Sequence, residues 1–171
     1  LSNLGLVAAL EILAREVGAR SGVTVDAELQ NLTLSDAAQI TAYRLVQEAL
    51  ANAIRHAAAR RVLITLEPGR RPGGGPEGAC VAVQDDGRGF DAEQRHRSTH
   101  GLLGLRYRIE AEDGVMQVHS VPGTGTRVQA WLPTTGPAAA EPAVADLSDG
   151  ADVAAVGSFP QASVPPSHPQ T

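Results

Sequence analysis

Glu48, Asn52 and His56 recur at every fourth position of one segment that contains no Gly or Pro, and on a helix that spacing sets them on a single stripe. A carboxylate and a carboxamide one turn apart offer hard oxygens, the donors Mg²⁺ takes when phosphate oxygens and water complete its shell. His56 is read as orienting a neighbour or filling the helix end rather than as a ligand. Further along, QDDGRGFD (residues 84–91) sets two carboxylates before two glycines one residue apart. It follows the apolar run Ala79, Cys80, Val81, Ala82, Val83, which has the character of a strand. An acid at the end of a strand accepts a hydrogen bond from a purine amino group, and glycines beside it leave room for a flat base. Asp85 is placed for that. Gly101 and Gly104 open a helical pattern, and Gly123 and Gly125 enter the last strand pattern. Backbone N–H groups at a helix start cradle phosphate, with the helix dipole favouring the negative charge. Each feature alone has a plain explanation: a solvated stripe, an Arg44–Glu48 ion pair, turn glycines, an Asx turn at Asp85. Their joint occurrence points to an anionic nucleotide.

These residues need a scaffold. Residues 4–20 carry Leu6, Leu10, Leu13 and Val17 at steps of three and four, an amphipathic helix with Ser2 or Asn3 as cap. Gly22 ends it, and residues 23–29 alternate as a half-buried strand does. Ser35 caps a long helix over residues 35–59, whose apolar side is expected to hold Ile40, Tyr43, Val46, Leu50, Ala53 and Ile54. Residues 60–67 and 79–85 form a hairpin around a loop expected to span residues 68–78. A short helix over 101–112, with Leu102, Leu105 and Ile109 on one side, precedes two more strands at 115–120 and 126–133. The order predicts an α+β fold: a mixed, mostly antiparallel sheet with helices on one face. After residue 135 the chain turns to Ala, Pro, Ser, Gly and Asp without periodicity, the composition of a disordered tail.

Composition prunes the function classes. All 14 basic residues are Arg, so mechanisms that need a lysine amine, such as a Walker-type phosphate loop or a Schiff base, are excluded. Aromatics make up 3% of the chain and the net charge is −5, which argues against a nucleic-acid partner. Four of the acids lie in the tail, so residues 1–135 set 14 Arg against 15 acids. The lone Cys80 forms no internal disulfide and is read as packing. No membrane span or signal segment is legible. The chain starts without Met inside a helix pattern, which leads to the expectation of a fragment whose missing part carries any membrane or sensor segment.

Taken in order, RLVQEALANAIRHA, QDDGRGFD, HGLLGLRYRIE and PGTGTRV resemble the N, G1 and G2 boxes and the closing glycine-threonine motif of the ATP-binding domain of bacterial sensor histidine kinases. The resemblance is to the subfamily paired with LuxR/NarL-type response regulators, within the GHKL (Bergerat) superfamily of gyrase-type ATPases, Hsp90 and MutL. It covers roughly residues 4–133. It implies a two-layer α/β sandwich, with residues 1–21 the end of a dimerisation and phosphoacceptor helix, 22–135 the ATP-binding domain and 136–171 the tail. It implies ATP and Mg²⁺ as cofactors. Asn52 would bind the metal, and Glu48 would order the metal's water or act as a base. Asp85 would read the adenine amino group, Gly87 and Gly89 would shape the wall, and Thr126 would support Asp85 through water. A short lid would run from about residue 91 to 100, with Gly101 and Gly104 at its hinge and phosphate end and Leu102 among the nucleotide-binding residues.

Two departures stand out. Tyr107 sits where the family often has an acid, and Glu112-Asp113 precedes Gly114 where it often has Leu-Gly, so the third helix is expected to end differently. None of the five His is followed by Asp or Glu, so the phosphoacceptor is expected to lie outside this chain. The resemblance implies an ATP-dependent histidine kinase module with little activity alone, cytoplasmic, a monomer as a fragment and a homodimer at full length. Its partners would be its own dimerisation domain and a LuxR/NarL-type regulator. The alternatives are an anti-sigma-factor serine kinase of the same superfamily and a nucleotide-binding module without chemistry.

Overall fold

The computed structural model describes residues 5–90 and 100–135. The expected lid residues 91–99, the tail from 136 onward and the cap residues Ser2 and Asn3 lie outside them. In chain order the elements are α1 (Gly5–Ser21), β1 (Thr24–Leu29), α2 (Asp36–Asn52), a π turn (Ala53–Ala57), β2 (Arg61–Arg70), β3 (Glu77–Asp85), α3 (His100–Ala111), β4 (Val115–Val121) and β5 (Gly125–Leu132). The strands form one sheet in the order β1-β2-β3-β5-β4. Among the described residues only β1 and β2 run parallel; the other pairs are antiparallel. This is the expected α+β architecture.

Strand alternation decides where the core sits. Val62, Ile64 and Leu66 of β2 pair with Asp85, Val83 and Val81 of β3, and Val81 and Val83 pair in turn with Ala130 and Val128 of β5. All but Asp85 join one apolar cluster with Leu6, Leu10 and Ala14 of α1, Leu45, Val46, Ala49 and Leu50 of α2, and Leu105 and Ile109 of α3. Fully burying a Leu or Ile side chain is worth about 1.5–3 kcal/mol, so these residues dominate the hold between sheet and helices. The opposite face is polar. There Arg127 donates to Gln84 and Gln129, and Gln129 donates to Gln117, a ladder across three strands.

Two expectations need correction. Ile40 of α2 and Ile54 of the π turn do not lie on the buried side of this helical segment; they are 46% and 37% exposed. The buried stripe is Ala38, Thr41, Ala42, Leu45, Val46, Ala49 and Leu50, which recur at steps of three and four and so share one face of the helix. The expected loop at 68–78 is also shorter. Pro68, Gly69 and Arg70 continue β2 and pair with Ala79, Gly78 and Glu77. Pro68 is tolerated because β1 stops opposite Leu66, so its missing N–H faces an unpaired edge. Gly69 and Gly78 also make room: an added Cβ at Gly78 would overlap the Trp131 ring, and the Gly69 carbonyl accepts from Trp131 Nε1 at 3.0 Å. Trp131 is thereby only 3% exposed, although it points to the polar face.

The helix ends follow local rules. Ser35 accepts from the N–H of Ala38 at 3.0 Å, the expected cap of α2. The long helix does not run on as α to residue 59; it widens into the π turn and stops at Ala58, which takes the left-handed φ of 50°. α3 ends at Ala111, and Asp113 adopts φ 56°, a region Asp tolerates better than most residues. No helix among the described residues is long and apolar enough to cross a membrane.

Candidate functional site

Asp85 closes β3 on the helix-facing side of the sheet and is 8% exposed. β3 and β5 pair up to Gln84 and Arg127, so one further step sets Thr126 opposite Asp85. The Asp85 carboxylate accepts from the N–H of Gly87 at 2.9 Å and from the N–H of Thr126. Burial pushes its pKa up, the two backbone donors act against that, and the neighbouring Asp86 adds to the rise. Asp86 meets the opposite fate. Its Oδ1 accepts from the N–H groups of Arg61 and Arg60 at 2.9 and 2.8 Å, and these donors hold its pKa below the usual carboxylate range. One acid of the pair is buried on the helix-facing side of the sheet; the other closes the start of β2.

The loop after Asp85 is stitched on both sides. Arg88 N–H donates to the Ala57 carbonyl at 2.8 Å, and the Arg88 carbonyl accepts from Gly123 N–H at 2.7 Å. Ala57 ends the π turn, so its carbonyl has no later helical N–H to accept from and takes that of Arg88 instead. An added Cβ at Gly87 would overlap Ala57. Gly89, at φ 59°, leaves no room for one against the Val121 carbonyl. Thr126 stands beside Ser120 of β4, their hydroxyl oxygens 2.9 Å apart.

On the helix side Glu48 and Asn52 are half-buried, and Asn52 Nδ2 donates to Glu48 Oε1 at a long 3.5 Å. That polarity leaves Asn52 Oδ1 as the oxygen suited to a cation. His56 does not stay with them; it lies exposed on the π turn, where the stripe leaves α-helical phase. Gly101, in the first turn of α3, lies against Glu48, whose carboxylate an added Cβ would overlap. Leu102 is half-buried and packs against the core, whereas a Cβ at Gly104 would meet nothing within 4 Å. Two clusters thus form: Asp85, Gly87, Gly89 and Thr126 on the sheet side, and Glu48, Asn52 and Gly101 on the helix side. Ala57 joins them, since it continues the segment of Asn52 and touches Gly87.

Among the described residues no group of three or more His, Cys, Asp and Glu is placed to hold a metal. One carboxylate and one carboxamide suit Mg²⁺, which binds through one or two protein oxygens together with substrate phosphates and water. Ser120 and Ala57 carried no signal in the sequence as site residues; Gly125 stood among the glycines entering β5 but not among the named binding residues.

Residues 37–136 match the family described as histidine kinase-, DNA gyrase B-, and HSP90-like ATPase. The chain is 28% identical over 137 residues to the signal transduction histidine-protein kinase/phosphatase DegS of Brevibacillus brevis, covering 79% of this chain and 34% of that protein. It is 30% identical over 133 residues to the sensor histidine kinase LiaS of Bacillus subtilis, covering 78% and 35%. The chain spans about a third of the length of these relatives. In fold it is similar to the histidine kinase domain from the Erythrobacter litoralis EL346 blue-light activated histidine kinase, with a TM-score of 0.60 at 24% identity over 75% of this chain and 61% of that one. The chain belongs to the histidine kinase-, DNA gyrase B- and HSP90-like ATPase family, and ATP is the ligand that membership implies.

Proposed function

We propose that this chain is the catalytic domain of a two-component sensor histidine kinase, binding ATP with Mg²⁺ and presenting the γ-phosphoryl group to a histidine outside residues 1–171. The observation that carries it is the buried Asp85 carboxylate, which accepts from the N–H groups of Gly87 and Thr126 at the end of β3. Phosphoryl transfer is mostly positioning and electrostatics. Magnesium, when bound, neutralises charge on the phosphate oxygens. Asn52 would hold the metal through its side-chain oxygen, Glu48 would order water there or take a proton, and Asp85 would fix the adenine through its amino group. The attacking imidazole nitrogen forms the new bond to phosphorus as the bond to the β-phosphate oxygen breaks, and ADP leaves. In the full-length protein the acceptor lies on a dimerisation domain of a homodimer, and the phosphoryl group passes on to a LuxR/NarL-type response regulator.

Calorimetric titration of the chain with ATP, with and without Mg²⁺, tests the site. We expect saturable binding that tightens with the metal, and in Asn52→Ala a loss of most of that gain with metal-free binding retained. A well-folded chain without a saturable ATP site ends the proposal. Mixing it with a separate phosphoacceptor domain and labelled ATP tests the chemistry: intact binding without label on histidine removes the kinase claim.

Gly101→Ala separates alignment from folding. Alanine favours a helix over glycine by about 1 kcal/mol, and the atom it would displace ends the flexible Glu48 side chain. The variant is expected to melt no lower than the parent while labelled phosphotransfer slows severalfold. Equal rates would show that the position of Glu48 does not matter.

A further inference from the structure

Ser120 pairs with Thr126 across β4 and β5, and its hydroxyl meets three groups. Phe90 N–H lies 2.9 Å from Ser120 Oγ, the Gly125 carbonyl 3.2 Å and the Thr126 hydroxyl 2.9 Å. A serine hydroxyl has one proton and two lone pairs. The Phe90 N–H can only donate and the Gly125 carbonyl can only accept, so the serine proton belongs to Gly125. All three contacts are then hydrogen bonds in one arrangement alone: Thr126 donates its proton to Ser120. Committed in this way, Thr126 Oγ1 has only lone pairs left. Beside it stands Asp85, whose ionised carboxylate also only accepts.

The structure assigns to Ser120 the role of a positioning residue for base selection: by holding the Thr126 proton it makes the Asp85–Thr126 edge accept only, so the pocket takes a purine amino group and rejects a purine carbonyl. The inference rests on the reading of this pocket as a nucleotide site. Adenine offers an amino group where guanine offers an oxygen, and two acceptors facing an oxygen leave buried polar groups unpaired. With Ser120 replaced by Ala, Thr126 is free to turn its proton toward the ligand. The edge then has a donor for guanine, and the bond from Phe90 N–H to Ser120 Oγ is lost.

The test is titration of the chain with Mg-ATP and Mg-GTP, in parent, Ser120→Ala and Ser120→Thr forms, with melting curves for each. The parent is expected to prefer ATP. In Ser120→Ala the ratio of ATP to GTP affinity falls by about tenfold, the worth of one net hydrogen bond, and Ser120→Thr, which keeps the hydroxyl, restores it. An unchanged ratio in Ser120→Ala overturns the assignment even where both affinities drop, since a merely structural serine affects both nucleotides alike. Should Ser120→Ala not fold, Ser120→Cys keeps the volume with a weak donor and acceptor, and the same ratio decides. A parent that binds ATP and GTP equally overturns the role of Ser120 but leaves the nucleotide site standing. A folded parent that binds neither overturns both.

Discussion

Asp85→Asn is expected to weaken ATP binding by roughly tenfold to a hundredfold, the range of a hydrogen bond to a charged group at about 1.5–3 kcal/mol. The carboxamide keeps the shape but turns one acceptor into a donor, which then faces the amino group of adenine. Stability should move the other way. Burial raises the Asp85 pKa, so between the ordinary carboxylate value and the raised one the folded chain holds more proton than the unfolded chain. By linkage, what this group contributes to stability is present at low pH and declines as pH rises through the raised value. At pH 7 the ionised carboxylate is carried at a cost that Asn removes. The variant without nucleotide is therefore expected to melt no lower than the parent at pH 7, and its standing relative to the parent should improve from acid to neutral pH. Calorimetric titration and melting curves at several pH values check both halves. Parental ATP affinity in this variant would rule out Asp85 as the reader of the base.

Gly125→Ala is expected to cost the fold about 2–6 kcal/mol, the sum of backbone strain of about 1–3 kcal/mol and overpacking of about 1–3 kcal/mol. Gly125 sits at φ 106°, and a Cβ there would run into the Asp85 carbonyl and the main chain of Asp86. Those atoms are backbone in a paired strand and its adjoining loop, so no side-chain rotation relieves the overlap. Against a domain stability of about 5–15 kcal/mol the loss is large, and the melting temperature should fall by on the order of 10 °C. ATP binding should fall with it, because the displaced strand ends carry Asp85 and Thr126. Gly123→Ala is the control. Gly123 also has a positive φ, 81°, but its Cβ would meet nothing within 4 Å, so only the strain applies. Urea unfolding of the two variants checks this; a smaller loss at Gly125 than at Gly123 would show that the close approach to Asp85 is not real in solution.

Much of the scaffold was legible because it depends on periodicity. Leu6 and Leu10, Leu105 and Ile109, and the alternation of β2, β3 and β5 bury the residues that spacing alone marks. α2 was harder. Its apolar residues surround much of the helix, so counting them could not tell the Ala38–Thr41–Ala42–Leu45 side from the side of Ile40 and Ile54; which face is buried depends on the sheet and helices packed against it. The extension of β2 through Pro68 was likewise hidden, since local propensity reads Pro-Gly as a turn and the permissive fact is that β1 ends two residues earlier in register.

The site divides in the same way. From the sequence by itself came the family, the order of its motifs, the absence of lysine and hence the exclusion of lysine-based phosphate binding, and the stripe that joins Glu48 to Asn52. Only the tertiary structure decided which of the adjacent acids Asp85 and Asp86 is buried beneath the helices and which is spent on Arg60 and Arg61, that His56 leaves the stripe at the π turn, and that Ser120 meets Thr126 and Phe90. The physical reason is common to all three. Burial and hydrogen-bond partners come from strands and loops remote in the chain, and no local pattern carries that information.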